Sequence, residues 1–243
     1  MTKAPHLNEF AQKATEASAI MQNSYLTALE SGEMSLSAFK VSQEQFYHAV
    51  NFFPRPMAAL VARIPSARAR MDILHNLVEE HGDFNEQAFH CTTFKRFLAS
   101  LEGTNSMEDT MPTPLILPAV HSFNNVLMGT CSLDELETAI ACMGAIEFTF
   151  AQISARIAEA VVHRGWVVAD KLVHYKLHAK IDEKHADDFF AVIEESFCTE
   201  KRLPIEQGIR LGLHVFHRLY SDLAIVSRLS MIEESAERRV IAE

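Results

Sequence analysis

Apolar residues recur along the chain at three- and four-residue intervals and strand-like alternation is absent, so almost every long segment is expected to be helical. An amphipathic N-terminal helix runs to about Leu29. Ser35 stands where it can cap a second long segment, SLSAFKVSQEQFYHAVNFFPRPMAALVARIP, which Pro54 and Pro56 should kink or break. Ser66 is placed to cap ARARMDILHNLVEEHG, which Gly82 ends. A further helix is expected from about Asn85 to Leu101. Past the loop EGTNSMEDTMPTP, another runs from about Leu115 to Leu127. Ser132 and Glu135, in capping-box spacing, open a long apolar segment that Gly165 closes. Helices from about Val168 to Phe197 and from Pro204 to roughly Glu233 follow, before a charged tail. The pattern predicts one all-α domain over residues 1–243, with seven or eight helices, no repeat and no linker.

Composition narrows the partners. With 243 residues, 48% of them hydrophobic, the chain can bury one sizeable core. A net charge of −10 argues against nucleic acid, which demands a positive surface, and against an anionic membrane surface. No apolar run is expected to approach the ~20 residues that span a bilayer. The N-terminus lacks the apolar centre of a secretory signal. The four cysteines (Cys91, Cys131, Cys142, Cys198) are scattered with no CxxC pair, as expected of reduced thiols in a cytoplasmic protein. Twelve histidines are more than usual for this length.

Several of those histidines share a face. In HYKLHAKIDEKHADDFF, residues 174–190, a rotation of about 100° per residue places His174, His178, Asp182 and His185 within an arc of roughly 80°. Lys176, Lys180, Glu183, Lys184 and Asp187 form the solvated side. Imidazole and carboxylate on adjacent turns suit borderline-to-hard divalent metals. Surface histidines, or a His–Asp pair satisfied in the core, produce the same pattern. Glu147 lies in the apolar stretch ACMGAIEFTFAQI, where an unpaired carboxylate costs several kcal/mol, and no Lys or Arg lies one turn away. NLVEEHGDFNEQAFHCTTFKRFL adds Glu79, Glu80, His81, Glu86 and His90. Glu86 and His90 have i, i+4 spacing, and Glu80 faces His90 across a turn, so spacing leaves Glu80 and Glu86 both open. Together these segments supply six N/O ligands, as helical bundles do when they hold two irons.

On these residues the chain resembles the haem-oxygenase-like diiron oxidases. The resemblance also takes in Gln45, Tyr47 and His48 leading to Phe53, Pro54 and Arg55, and it covers nearly the whole chain. The family pattern of Glu and His on one stretch, a lone Glu, then His-x3-Asp-x2-His falls on Glu80, His90, Glu147, His178, Asp182 and His185. Its Glu-x9-His interval favours Glu80 over Glu86. The resemblance implies a haem-oxygenase-like helical bundle with two Fe as cofactor, although this N/O ligand set suits Mn/Fe as well. It implies O2 and a small organic substrate as partners: a fatty acid, an amino acid or an amine. A dimer is the default for the fold.

Branches of the same fold differ. Thiaminase-like members use an active-site Cys beside an acidic pair, a context these cysteines lack. Haem oxygenases use an early His, and here only His6 is available. A metal-free quinone-cofactor-synthase-like enzyme would not need these carboxylates, and a non-catalytic interaction protein would keep the metal site only as structure. One branch makes para-aminobenzoate from a Tyr and a Lys of its own chain. Tyr25 lies near the expected Tyr, but Ile146 and Phe148 flank Glu147 and no Lys follows within two turns. An additional Glu ligand, supplied in some members by the second long helix, is missing around Pro54. His174, one turn before His178, is expected to contact a ligand from outside, and Phe148 and Phe189 to line the substrate pocket.

Overall fold

A computed structural model describes residues 2–104 and 112–241, with side chains described as far as Ile232. Residues 105–111 of the expected loop lie outside these. Among the described residues there are ten α-helices and no strand: α1 (Pro5–Ser18), α2 (Ser24–Ser31), α3 (Leu36–Phe52), α4 (Pro54–Arg63), α5 (Ala67–Glu80), α6 (His90–Leu101), α7 (Pro118–Leu133), α8 (Leu136–His163), α9 (His174–Ile193) and α10 (Arg202–Ile241).

Two expected helices are each divided, which accounts for ten in place of seven or eight. The N-terminal one breaks at Ala19, which adopts a left-handed conformation (φ 54°). Asn23 then starts α2 afresh, its side chain accepting from the Tyr25 N–H. The second breaks at Phe53 because Pro54 takes the first position of α4, where a missing N–H costs nothing. Phe53 itself stays right-handed helical, so the chain bends there and does not leave the helix path.

Ser35 and Ser66 cap α3 and α5, accepting from the N–H groups of Ala38 and Ala69. Ser132 does not open a helix: Pro118 starts α7 later than expected, and α7 runs through Ser132 to Leu133. α8 begins at Leu136 without a side-chain cap. Gly165 does close α8, with φ 67° and its N–H on the Val162 carbonyl. α9 starts only at His174, after a 3-10 turn at Ala169–Lys171.

α8 is the central element, packed against α9 and α10. Although broken by polar residues, it contains an 18-residue window of mean hydropathy 1.3, long and apolar enough to cross a membrane by length and composition. Neighbouring helices bury 78% of that window, so its apolarity serves the core. Gly144 sets the approach of α9: a Cβ there would sit 2.6 Å from a ring carbon of Phe190. With that ring seated on the glycine, the polar face of α9 meets α8 beside Glu147, one turn further on.

Candidate metal centre

Four helices deliver buried polar side chains to one place. Glu80 comes from the last residue of α5, His90 from the first of α6, and Glu147 from the middle of α8. His174, His178, Asp182 and His185 come from the inner face of α9, and none of the seven is more than 4% exposed. The link between α5 and α6 is tight. Gly82 (φ 54°), Asp83 (φ 52°) and Phe84 (φ 66°) are all left-handed, and a Cβ on Gly82 would fall 2.4 Å from the Ala88 carbonyl carbon. This turn folds α6 back so that His90 Nδ1 lies 2.9 Å from Glu80 Oε1. Glu86, the alternative to Glu80, is exposed on the 3-10 turn Glu86–Ala88 and cannot share a helix face with His90.

Glu80, Glu147 and His185 converge most closely, each bringing one donor atom to within 4.8 Å of the others. His185 Nδ1 is 3.9 Å from Glu147 Oε2 and 3.8 Å from Asp182 Oδ1. The His90 and His178 rings lie 4.5 Å apart, centre to centre. Asp182, expected to face the same centre, here has both carboxylate oxygens within 3.0 Å of His178 Nδ1.

The hydrogen-bond pattern of the buried histidines is informative. His178 Nδ1 pairs with Asp182 at 2.9 Å, which leaves Nε2 as the ring nitrogen without a protein partner. Thr93 gives its hydroxyl proton to the His90 carbonyl and accepts from Nδ1 of His174, 3.1 Å away. That places a lone pair on His174 Nε2. His178 Nε2, His174 Nε2, His185 Nδ1, His90 Nδ1 and Glu147 Oε1 are all buried without a hydrogen-bond partner. His90 Nδ1 is close to Glu80 but off the direction a hydrogen bond requires. Buried polar atoms are normally satisfied, and each exception costs about 1–3 kcal/mol. Five in one cluster, all N/O donors, fit a group that accepts lone pairs: a divalent metal.

Electrostatics agree with that chemistry. Burial, reinforced by the nearby Asp182 and Glu80 carboxylates, pushes the Glu147 carboxyl well above the usual range. Burial likewise raises Asp182, although His185 opposes it. Burial would also raise Glu80, but the adjacent His90 outweighs it and holds the carboxyl down to about 2. Burial lowers His178 to about 4 and takes His174 well below the ordinary histidine value. Two carboxyls that resist ionisation beside histidines that resist protonation describe a site completed by positive charge.

A cavity of about 40 Å³ adjoins the cluster. Its polar lining is Glu80, Glu147 and His178, and the rest is apolar, with Phe46, Phe53, Phe150 and Phe216 prominent. Phe148 and Phe189, expected here, lie elsewhere: Phe148 borders a surface groove with Gln152 and Glu183, and Phe189 is core. Helical period alone could not separate the cavity-facing rings from the other phenylalanines. Tyr25 is fully buried, and Gln43 joins it to Tyr175: the Gln43 amide donates to the Tyr25 hydroxyl and accepts from that of Tyr175. His81 turns outward and binds the Leu77 carbonyl. Sequence reasoning left Glu79 and Thr93 without roles. The NLVEE segment signalled the first, but nothing marked the second.

Known proteins resemble the chain in sequence or in fold. The chain is 22% identical over 207 residues to 4-aminobenzoate synthase of Chlamydia trachomatis serovar D, covering 84% of this chain and 87% of that one. A Cadd-like protein of unknown function from Nostoc punctiforme superposes with a TM-score of 0.73 at 14% identity, over 91% of this chain and 98% of that one. A domain of unknown function with a haem-oxygenase-like fold from Shewanella denitrificans gives 0.73 at 15% identity, over 93% of each chain. The fold is therefore haem-oxygenase-like. Residues 42–217, well over half the chain, match the family described as iron-containing redox enzyme, and the chain belongs to that family.

Proposed function

We propose that this protein is a non-haem diiron oxidase or oxygenase that uses O2 to oxidise a small organic substrate. The observation that carries the reading is the cluster of buried, unpartnered N/O donors from four helices beside an apolar cavity. Glu80, His90, Glu147, His178, Asp182 and His185 would hold the metals, with the carboxylates balancing their charge. Two irons, when bound, supply the electrons that reduce O2 and the oxidising power for the substrate.

The protein's own contribution is placement and an apolar surround. Phe46, Phe150 and Phe216 give the cavity an apolar wall and leave a substrate no cationic partner within its lining. Asp182 keeps the His178 ring oriented through Nδ1, and Thr93 does the same for His174.

The test is anaerobic loading with Fe(II) followed by O2. Iron-dependent O2 consumption, lost in Glu147→Ala and His178→Ala, is expected. Stoichiometric iron binding with no O2 consumption would leave only a structural metal site and defeat the oxidase reading.

The likeness to the chlamydial 4-aminobenzoate synthase over 84% of the chain favours a second reading. In it the organic material oxidised is Tyr25 of the chain itself. Intact mass after reaction distinguishes the two: loss from the Tyr25 side chain supports the second, and an unchanged chain supports an external substrate.

A further inference from the structure

Glu79 neighbours Glu80 at the end of α5, yet its carboxylate reaches the centre from outside. The side chain is 24% exposed, and its Oε2 lies 2.8 Å from Nε2 of His185, whose own side chain is wholly buried. The same oxygen meets His75 Nδ1 at 3.2 Å and Lys184 Nζ at 3.4 Å. Lys184 is shared with Asp188 at 3.0 Å, and Asp188 also holds Lys3 at 2.6 Å. Three cationic or donor groups thus surround Glu79 and keep it an acceptor.

An ionised carboxylate only accepts, so Nε2 of His185 must supply the hydrogen. In the neutral ring the lone pair is then on Nδ1. That nitrogen is buried, has no hydrogen-bond partner, and faces Glu147 Oε2 and Asp182 Oδ1 at 3.9 and 3.8 Å. His178 is held the opposite way round, with Nδ1 on Asp182 and Nε2 free.

We infer that Glu79 is a positioning residue: it locks His185 with Nε2–H outward and Nδ1 inward, so that His185 binds metal through Nδ1 and His178 through Nε2. The inference deepens the diiron reading and rests on it for the metal, but the ring orientation stands in the metal-free protein. Glu79 itself touches no metal. Its carboxylate acts through the imidazole, fixing the tautomer and the ring orientation.

Long-range 1H–15N correlation spectra of the metal-free protein test the orientation directly. The expected result is a protonated Nε2 and an unprotonated Nδ1 on His185. Fe(II) affinity is then measured in Glu79→Leu and Glu79→Gln, with His121→Ala, at an exposed histidine on α7, as the control and melting temperatures to verify folding. Glu79→Leu should weaken binding about 10- to 100-fold. Glu79→Gln keeps a carbonyl acceptor and should recover most of the loss, while His121→Ala should bind as the parent does. A His185 protonated on Nδ1, or unchanged affinity in folded Glu79→Leu, would overturn the inference. So would equal losses in the Leu and Gln variants. The spectra decide the orientation even in protein that takes up no iron, whereas failure to take up iron overturns the diiron reading beneath it.

Discussion

Glu80 Oε1 and His90 Nδ1 stand 2.9 Å apart across a turn of three consecutive left-handed residues, Gly82, Asp83 and Phe84. Nine residues of chain separate an α5 carboxylate from an α6 imidazole, and the turn brings them together. Gly82→Ala adds a Cβ 2.4 Å from the Ala88 backbone at a φ of 54°. The expected cost is about 1–3 kcal/mol, seen as a lowered melting temperature. Fe(II) affinity should fall with it, because the turn cannot relax without separating Glu80 from His90. Calorimetric titration of the folded variant checks the second part, and unchanged affinity would show that the turn does not set the pair.

Glu147→Gln should make the metal-free protein more stable while abolishing iron uptake. Burial and neighbouring carboxylates raise the folded-state pKa of Glu147, so the native state holds a proton that the unfolded chain releases. The sign follows: stability is lost as pH climbs from the ordinary carboxylate range through the raised value. Asp182 works in the same direction. His178, lowered to about 4 by burial, works at the other end, where stability falls as pH drops from about 6.5 toward 4. Denaturant midpoints measured against pH should show a maximum in the metal-free parent. In Glu147→Gln the alkaline side should be flatter.

Iron affinity should strengthen with rising pH. Glu147 and Asp182, whose carboxyls resist ionisation, must give up protons for a metal to bind, which adds up to about tenfold in affinity per pH unit for each proton displaced. His178 is already proton-free near neutral pH and adds no slope there. Proton release counted during Fe(II) titration in two buffers of different ionisation heat checks the number. Zero release near neutral pH would contradict the picture.

Thiol labelling should single out Cys198. Cys131 and Cys142 are fully buried, and burial pushes the Cys131 thiol up to about 12, so neither forms thiolate at neutral pH. Cys198 is exposed and Cys91 partly so. Mass spectrometry after brief alkylation of the native protein should find Cys198 modified first, and early labelling of Cys142 would mean that α8 is not buried as described.

The helical class and most helix ends were legible because periodicity and punctuation agree: Ser35, Ser66 and Gly165 act where the pattern places them. Ser132 misleads because a capping box is a local signal, and continuation of α7 to Leu133 overrides it. The face bearing His178, Asp182 and His185 is readable from rotation about one helix axis. That Glu147 meets it depends on the close approach of Phe190 to Gly144, a contact across 46 positions that no local pattern encodes. Glu79 and Glu80 are adjacent and chemically identical in the sequence. Only the packing of α5 on α9 sends one carboxylate inward and leaves the other to hold the back of His185.

The burial of α8 has a consequence for how the chain comes to be folded. α8 is covered in large part by α10, and α10 leaves the ribosome only after α8 and α9. Throughout synthesis of residues 164–201 the chain therefore carries an apolar helix without its final cover, a state prone to aggregation or to capture by chaperones. A carboxyl in the middle of that helix, at position 147, makes it a poorer passenger for a bilayer during the wait. The same side chain that burdens the finished core would thus help keep the unfinished one in water.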